Sequence, residues 1–229
     1  MKPTRKQGAP AKGLLLFCVI FSTLTLVSCA SGPPEILGVE WTLESKPNPR
    51  TEDRQDDLSV FVRVHDSDGL DDIEAMWIID DSAELSWSLG PSSWTRKSLG
   101  SDECLGASGL SMPDGEPLPP GRYRVVVADL AGNRASYDFT IAKVDDAERL
   151  PIPEWKGGRV GLVKAWPENY LLAYDAAGSL LRSAVLPASG ASLASLVGTE
   201  DAKRTQAFAV YCYDPASRRG VFSKRILFR

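Results

Sequence analysis

The chain of 229 residues has one histidine, His65, and this excludes every site built on two imidazoles. Its four cysteines are too few for a small scaffold held by disulfides. A long apolar run is also missing. The longest, residues 14–27, makes a helix of about 21 Å, well short of the roughly 30 Å hydrocarbon core of a bilayer. Basic residues are in deficit, at 26 against 30 acidic ones, for a net charge of -4. Residues 1–28 hold Lys2, Arg5, Lys6 and Lys12 and no acid, so the remainder carries 22 basic against 30 acidic residues, a net of -8. Such a surface argues against nucleic acid as a partner, because phosphate binding needs the opposite sign. What is present is a real core: 43% of residues are apolar and six are tryptophan, so the chain past residue 28 is long enough for one large domain or two small ones.

The amino terminus has three parts: a basic stretch to Lys12, the apolar run 14–27, and the small residues Ser28, Cys29 and Ala30. Together they form an export signal over residues 1–28. Leu26-Val27-Ser28-Cys29 resembles the lipobox of bacterial lipoproteins. That resemblance implies lipidation of the Cys29 thiol, cleavage just before it and acylation of the new terminus, for example with palmitate. It also implies that the protein is exported and anchored to a membrane. Ala30 stands where an aspartate commonly retains enterobacterial lipoproteins at the inner membrane, so the outer membrane is the favoured location. Residues 29–35 form a short tether of about 25 Å when extended. Two or three acyl chains anchor a protein where one binds only reversibly.

Strand signals recur between residues 36 and 144. Leu58, Val60, Val62 and Val64 alternate with Ser59, Phe61, Arg63 and His65, and Ile73, Ala75, Trp77 and Ile79 alternate with Glu74, Met76, Ile78 and Asp80. Tyr123, Val125 and Val127 form a third set, and Ala135, Tyr137, Phe139 and Ile141 a fourth. Turn residues separate them, among them Asp66-Ser67-Asp68-Gly69 and Asp129-Leu130-Ala131-Gly132-Asn133. The expectation is an all-β sandwich with apolar packing between its sheets.

The segment from Gly121 through Tyr123 and the Asp129-Leu130-Ala131-Gly132-Asn133 turn to Ala135 is similar to the last hairpin of immunoglobulin-like modules in exported bacterial proteins. Val64-His65-Asp66-Ser67-Asp68-Gly69-Leu70 is similar to the turn between their second and third strands. The resemblance implies an immunoglobulin-like antiparallel β-sandwich over residues 36–144, with Trp77 as its core tryptophan and Tyr123 as a tyrosine corner. Val64 and Val125 stand near the positions of the antibody disulfide, and the module implies no catalytic chemistry.

Asp66, Asp68, Asp71 and Asp72 are candidate calcium ligands. They do not form an EF-hand loop, since with Gly69 at its sixth place Val64 and Ala75 fall where carboxylates are required. The alternative is a solvated turn whose aspartates accept backbone N–H groups. His65 has no recognisable nucleophile beside it in the sequence, and Gly106-Ala107-Ser108-Gly109 is one residue short of a nucleophile elbow. Trp87 and Trp94 either fill the core or stack on sugars from a loop.

Residues 145–153 are charged and bounded by proline, as linkers are, and lead into a smaller β-rich region over 154–229. Its expected strands are 159–165, 170–174, 179–185, 207–213 and 220–228, with one short helix over 191–197 capped by Ser189. A region this small is expected to pack on the first rather than stand free. Gly157-Gly158-Arg159-Val160-Gly161 lacks the lysine of a phosphate loop. Arg218, Arg219, Lys224, Arg225 and Arg229 are expected to guard an edge strand, with anionic headgroups as the alternative target. Cys104 and Cys212 are candidates for a disulfide between the two regions, with free thiols as the alternative. No cofactor and no enzymatic activity are expected. The chain reads as a membrane-anchored, non-catalytic binding or assembly module with a protein or glycan partner, or alternatively as a calcium-dependent or carbohydrate-binding surface adhesin.

Overall fold

Alternating side chains make a strand where a second layer covers one set of them. The computed structural model of the protein describes residues 32–48, 54–99, 102–143 and 150–228. Cys29, Arg229, the expected export signal and residues 145–149 of the expected linker lie outside this range. The chain runs β1 (Glu35–Pro47), β2 (Arg54–His65), a 3-10 turn (Leu70–Asp72), β3 (Ile73–Asp80), β4 (Leu85–Leu89), β5 (Thr95–Leu99), β6 (Asp102–Leu110), β7 (Gly121–Asp129) and β8 (Arg134–Ile141). There follow β9 (Pro153–Lys156), β10 (Arg159–Leu162), β11 (Glu168–Tyr174), β12 (Leu180–Val185), β13 (Ala191–Ser192), α1 (Leu193–Val197), α2 (Thr199–Arg204), β14 (Ala207–Asp214), β15 (Arg219–Phe222) and β16 (Ile226–Leu227).

The protein is mainly β, and its sandwich forms between two sheets. One is four-stranded, in the order β4-β3-β7-β8; the other has nine strands, in the order β12-β11-β14-β15-β1-β2-β6-β5 with β16 beside β14. Leu58, Val60, Val62 and Val64 of β2 are all buried as the alternation requires, against Met76 and Ile78 of β3, Tyr123, Val125 and Val127 of β7, and Phe139 and Ile141 of β8. Fully burying one such side chain contributes about 1.5–3 kcal/mol, so this row outweighs any surface pair. The Tyr123 hydroxyl donates to the Pro119 carbonyl at 2.8 Å, the contact that a tyrosine corner makes.

Trp77 departs from expectation. A register shift between Ile73 and Ala75 inverts β3, so Met76, Ile78 and Asp80 are buried while Ala75, Trp77 and Ile79 turn to the outer face. The Arg134 guanidinium lies 5.5 Å from the Trp77 ring there. Trp41 of β1 packs on the core in its place, stacked on Phe139 at 5.3 Å.

A second core gathers Val160, Leu171, Ala173, Leu186, Leu193, Val197, Phe208, Val210 and Cys212 under the small sheet β13-β10-β9 and the helices. Two short helices stand where one was expected, because Gly198 at φ 88° ends α1, and Ser192 rather than Ser189 caps it by accepting the Ser195 N–H at 3.2 Å. The expected strand 220–228 divides at Ser223, whose hydroxyl accepts the Val210 N–H at 2.9 Å.

The regions on either side of 145–153 share the nine-stranded sheet. β15 lies parallel to β1, with Leu43 opposite Arg219 and Ser45 opposite Val221. Arg54 ties the pair by donating to the carbonyls of Ser45 at 2.6 Å and Phe222 at 2.9 Å. Because β14 and β1 flank β15, Arg218 and Arg219 do not guard an edge. Arg218 instead donates to the Val39 carbonyl at 3.3 Å and lies 5.6 Å from the Trp41 ring.

Cys104 and Cys212 are free, buried thiols, contrary to the disulfide considered for them. Cys104 of β6 and Cys212 of β14 are separated by β2, β1 and β15, about 19 Å at the usual strand spacing. A disulfide requires Cα atoms within about 7 Å. The register also puts them on opposite faces, Cys104 with Arg63 and Cys212 with Val221.

Candidate functional site

Residues opposite one another in a ladder share a face, and this locates the open surface of the long sheet. Leu43, Ser45, Val221 and Cys212 stand on the face that buries both cores. The other face carries Glu40, Thr42 and Glu44 of β1, Ser59, Phe61 and Arg63 of β2, and Tyr170, Tyr211 and Phe222 of β11, β14 and β15. It forms an open groove of about 920 Å³, whose lining also includes Lys97, Glu168, Tyr213 and Arg218.

Aromatic rings form the floor in a row. Tyr170 and Tyr211 have centroids 6.1 Å apart, and Tyr211 and Phe222 4.5 Å. Polar groups fix their tips: the Tyr211 hydroxyl donates to Glu44 at 3.2 Å and the Tyr170 hydroxyl to Glu168 at 3.0 Å. Burial and then the Glu44 charge push the Tyr211 phenol above its ordinary pKa, so it stays a neutral donor. At the other end the Lys97 ammonium lies 4.8 Å from the Phe61 ring. Phe61 pairs in register with Gly106, where a Cβ would come within 2.0 Å of the Val60 carbonyl and 2.9 Å of the Phe61 ring. Glycine is therefore required for β6 to pass beneath that ring.

The acidic residues meet at one end of the sandwich, in the turn between β2 and β3. Asp66 Oδ1 accepts the Asp68 N–H at 2.8 Å, and Gly69, at φ 96°, reverses the chain. One carboxylate oxygen from each of Asp66, Asp68 and Asp72 lies within 4.8 Å of the others. Asp71 does not join them, since it forms an ion pair with Arg96. Burial first, then the charges of Asp66, Asp129 and Asp68, raise the Asp72 pKa. Asp129, from the turn after β7, is fully buried; burial favours its neutral form, but hydrogen bonds from Asn133, Ala131 and Gly132 outweigh it and hold its pKa low. The Leu130 N–H donates to the Asp72 carbonyl at 2.8 Å and joins the two turns.

The remaining sequence candidates lie elsewhere. Trp87 and Trp94 are partly buried against the sandwich core, so they are packing residues. His65 is exposed at the end of β2, opposite Glu35, and does not line the groove. The aromatic floor was missed in sequence because its members are spread over four strands. Its one local trace is the alternation Tyr211, Tyr213 in β14.

No family model matches this chain, and no curated protein matches it. Among solved structures it is similar to dimeric latent PorU from Porphyromonas gingivalis, at 15% identity and a TM-score of 0.31, over 85% of this chain. The chain spans 20% of the length of that protein, and a likeness of this degree carries no argument about fold or function.

Proposed function

We propose that this protein is a lipid-anchored, non-catalytic binding module of the cell envelope that holds a glycan in the groove of its nine-stranded sheet. The aromatic floor of that groove is the observation that supports this reading. Backbone groups on the face of a sheet are already paired with neighbouring strands, so a ligand lying there must be held by side chains. Rings such as Phe61, Tyr170 and Phe222 offer flat apolar faces to the C–H surface of a sugar, and Glu40, Glu44, Arg63 and Glu168 offer hydrogen bonds to its hydroxyls. An added peptide strand would need a free sheet edge instead. The lipid anchor rests on Leu26-Val27-Ser28-Cys29 and favours the outer membrane.

A glycan array followed by calorimetry tests the groove. One class of oligosaccharide should bind saturably, and Phe61→Ala or Tyr170→Ala should weaken binding about tenfold, the loss of one stacking contact. No retained glycan, or binding indifferent to both substitutions, refutes the glycan reading. The anchor is tested separately: Cys29→Ser should abolish acyl labelling and release the protein from membranes, and unchanged labelling refutes it.

A further inference from the structure

We propose that the turn between β2 and β3 is a calcium site, with Asp66, Asp68 and Asp72 as its protein ligands. Asp66 is only 7% exposed, yet among the described residues its Oδ2 has no hydrogen-bond partner, and Oδ2 of Asp72 is likewise buried and unpartnered among them. A buried carboxylate oxygen without a donor is costly, and two of them in one cluster repel each other as well. A cation relieves both costs. No arginine or lysine does so here, because among the described ion pairs none involves Asp66, Asp68 or Asp72.

The geometry points to the same ion. Ligand oxygens within 4.8 Å of one another match the width of a calcium shell, in which Ca–O distances are about 2.3–2.6 Å. The donors are all hard oxygens, which suits calcium and disfavours zinc or copper. Asp68 is exposed, so water can complete a large and irregular shell, whereas magnesium demands a tight octahedron. Asp129 adds its negative charge to that felt by Asp72, while Asn133 occupies both Asp129 oxygens at 2.8 Å. Since Leu130 is bonded to Asp72, the ion would also brace the turn after β7. None of the three ligands lines the groove, so the site stands apart from the glycan reading.

The test titrates CaCl2 into the full-length chain, held in detergent and stripped with EDTA, and follows binding by calorimetry and stability by thermal unfolding. One site should appear with Kd of about 10⁻⁴–10⁻³ M, the range of extracellular calcium modules. At 10 mM CaCl2, Tm should rise by roughly 3–10 °C, and by less than half as much with MgCl2. Asp68→Asn should weaken binding about tenfold and Asp66→Asn should abolish it, while Asp71→Asn should bind as the unmodified chain does. Because Asp68 is exposed, its variant should fold even if that of Asp66 does not. Absence of heat and of a Tm shift in the folded chain overturns the proposal, as do equal shifts from both ions or unchanged binding by Asp68→Asn.

Discussion

Tyr123→Phe isolates the corner that closes the sandwich. The ring is fully buried and stacks on Phe139 at 5.5 Å, and phenylalanine keeps that contact and nearly all the volume, leaving no cavity to account for. What disappears is the 2.8 Å hydrogen bond to the Pro119 carbonyl. Pro119 is only half-buried, so water can reach the abandoned acceptor, and the loss should be that of one ordinary hydrogen bond, about 1–1.5 kcal/mol. For a fold of this size that lowers Tm by roughly 2–6 °C. Urea unfolding followed by tryptophan fluorescence should show a lower midpoint with an unchanged slope, since the same surface is exposed.

The pH dependence supplies a second arm. Burial, followed by the charges of Asp80 and Asp56, raises the folded pKa of Tyr123 above its ordinary 10.0. Below pH 10 the phenol is neutral in both states and the stabilisation is complete. Above pH 10 the unfolded chain loses the proton while the folded chain retains it, so the parent loses stability that the phenylalanine variant does not. The gap between them should therefore narrow as pH rises past 10. A midpoint unchanged at pH 7, or a gap that widens in alkali, refutes the corner.

Gly106→Ala should destabilise the fold by about 2–3 kcal/mol, because its Cβ would meet the Val60 carbonyl at 2.0 Å; thermal unfolding measures this, and an unchanged Tm counts against the close passage of β6 under Phe61. Cys104 and Cys212 should stay unlabelled by iodoacetamide in the folded protein at pH 8 and react once it is unfolded in urea without reductant. Burial pushes the Cys212 thiol up to about 12 and raises that of Cys104, so the reactive thiolate is scarce, and mass spectrometry of the peptides reads the outcome.

Much of the sandwich was legible. β2 and β7 bury one face against a single opposing sheet, so their alternation maps directly onto burial, whereas in β8 only Phe139 and Ile141 of the expected face are buried and Tyr137 is exposed. β6 was not recognised, because Asp102-Glu103-Cys104-Leu105-Gly106-Ala107-Ser108-Gly109-Leu110 is rich in small residues, and its Gly106 answers to the Phe61 ring rather than to strand propensity. The face of β3 was misassigned through one shift between Ile73 and Ala75, since slipping by a residue exchanges every side chain between core and surface. Of the acidic candidates, Asp66, Asp68 and Asp72 converge, whereas Asp71 left them for Arg96, which lies 25 residues further along the chain.

The sequence by itself determined the mainly β class, the tyrosine corner and the acidic turn, because each depends on residues within about ten positions of one another. Only the tertiary structure decided that β15 joins β1 and so makes one open face from two regions. Tyr211 and Glu44 are 167 residues apart, and no local period records their contact. It depends on strand order, which is set by the packing of both cores at once.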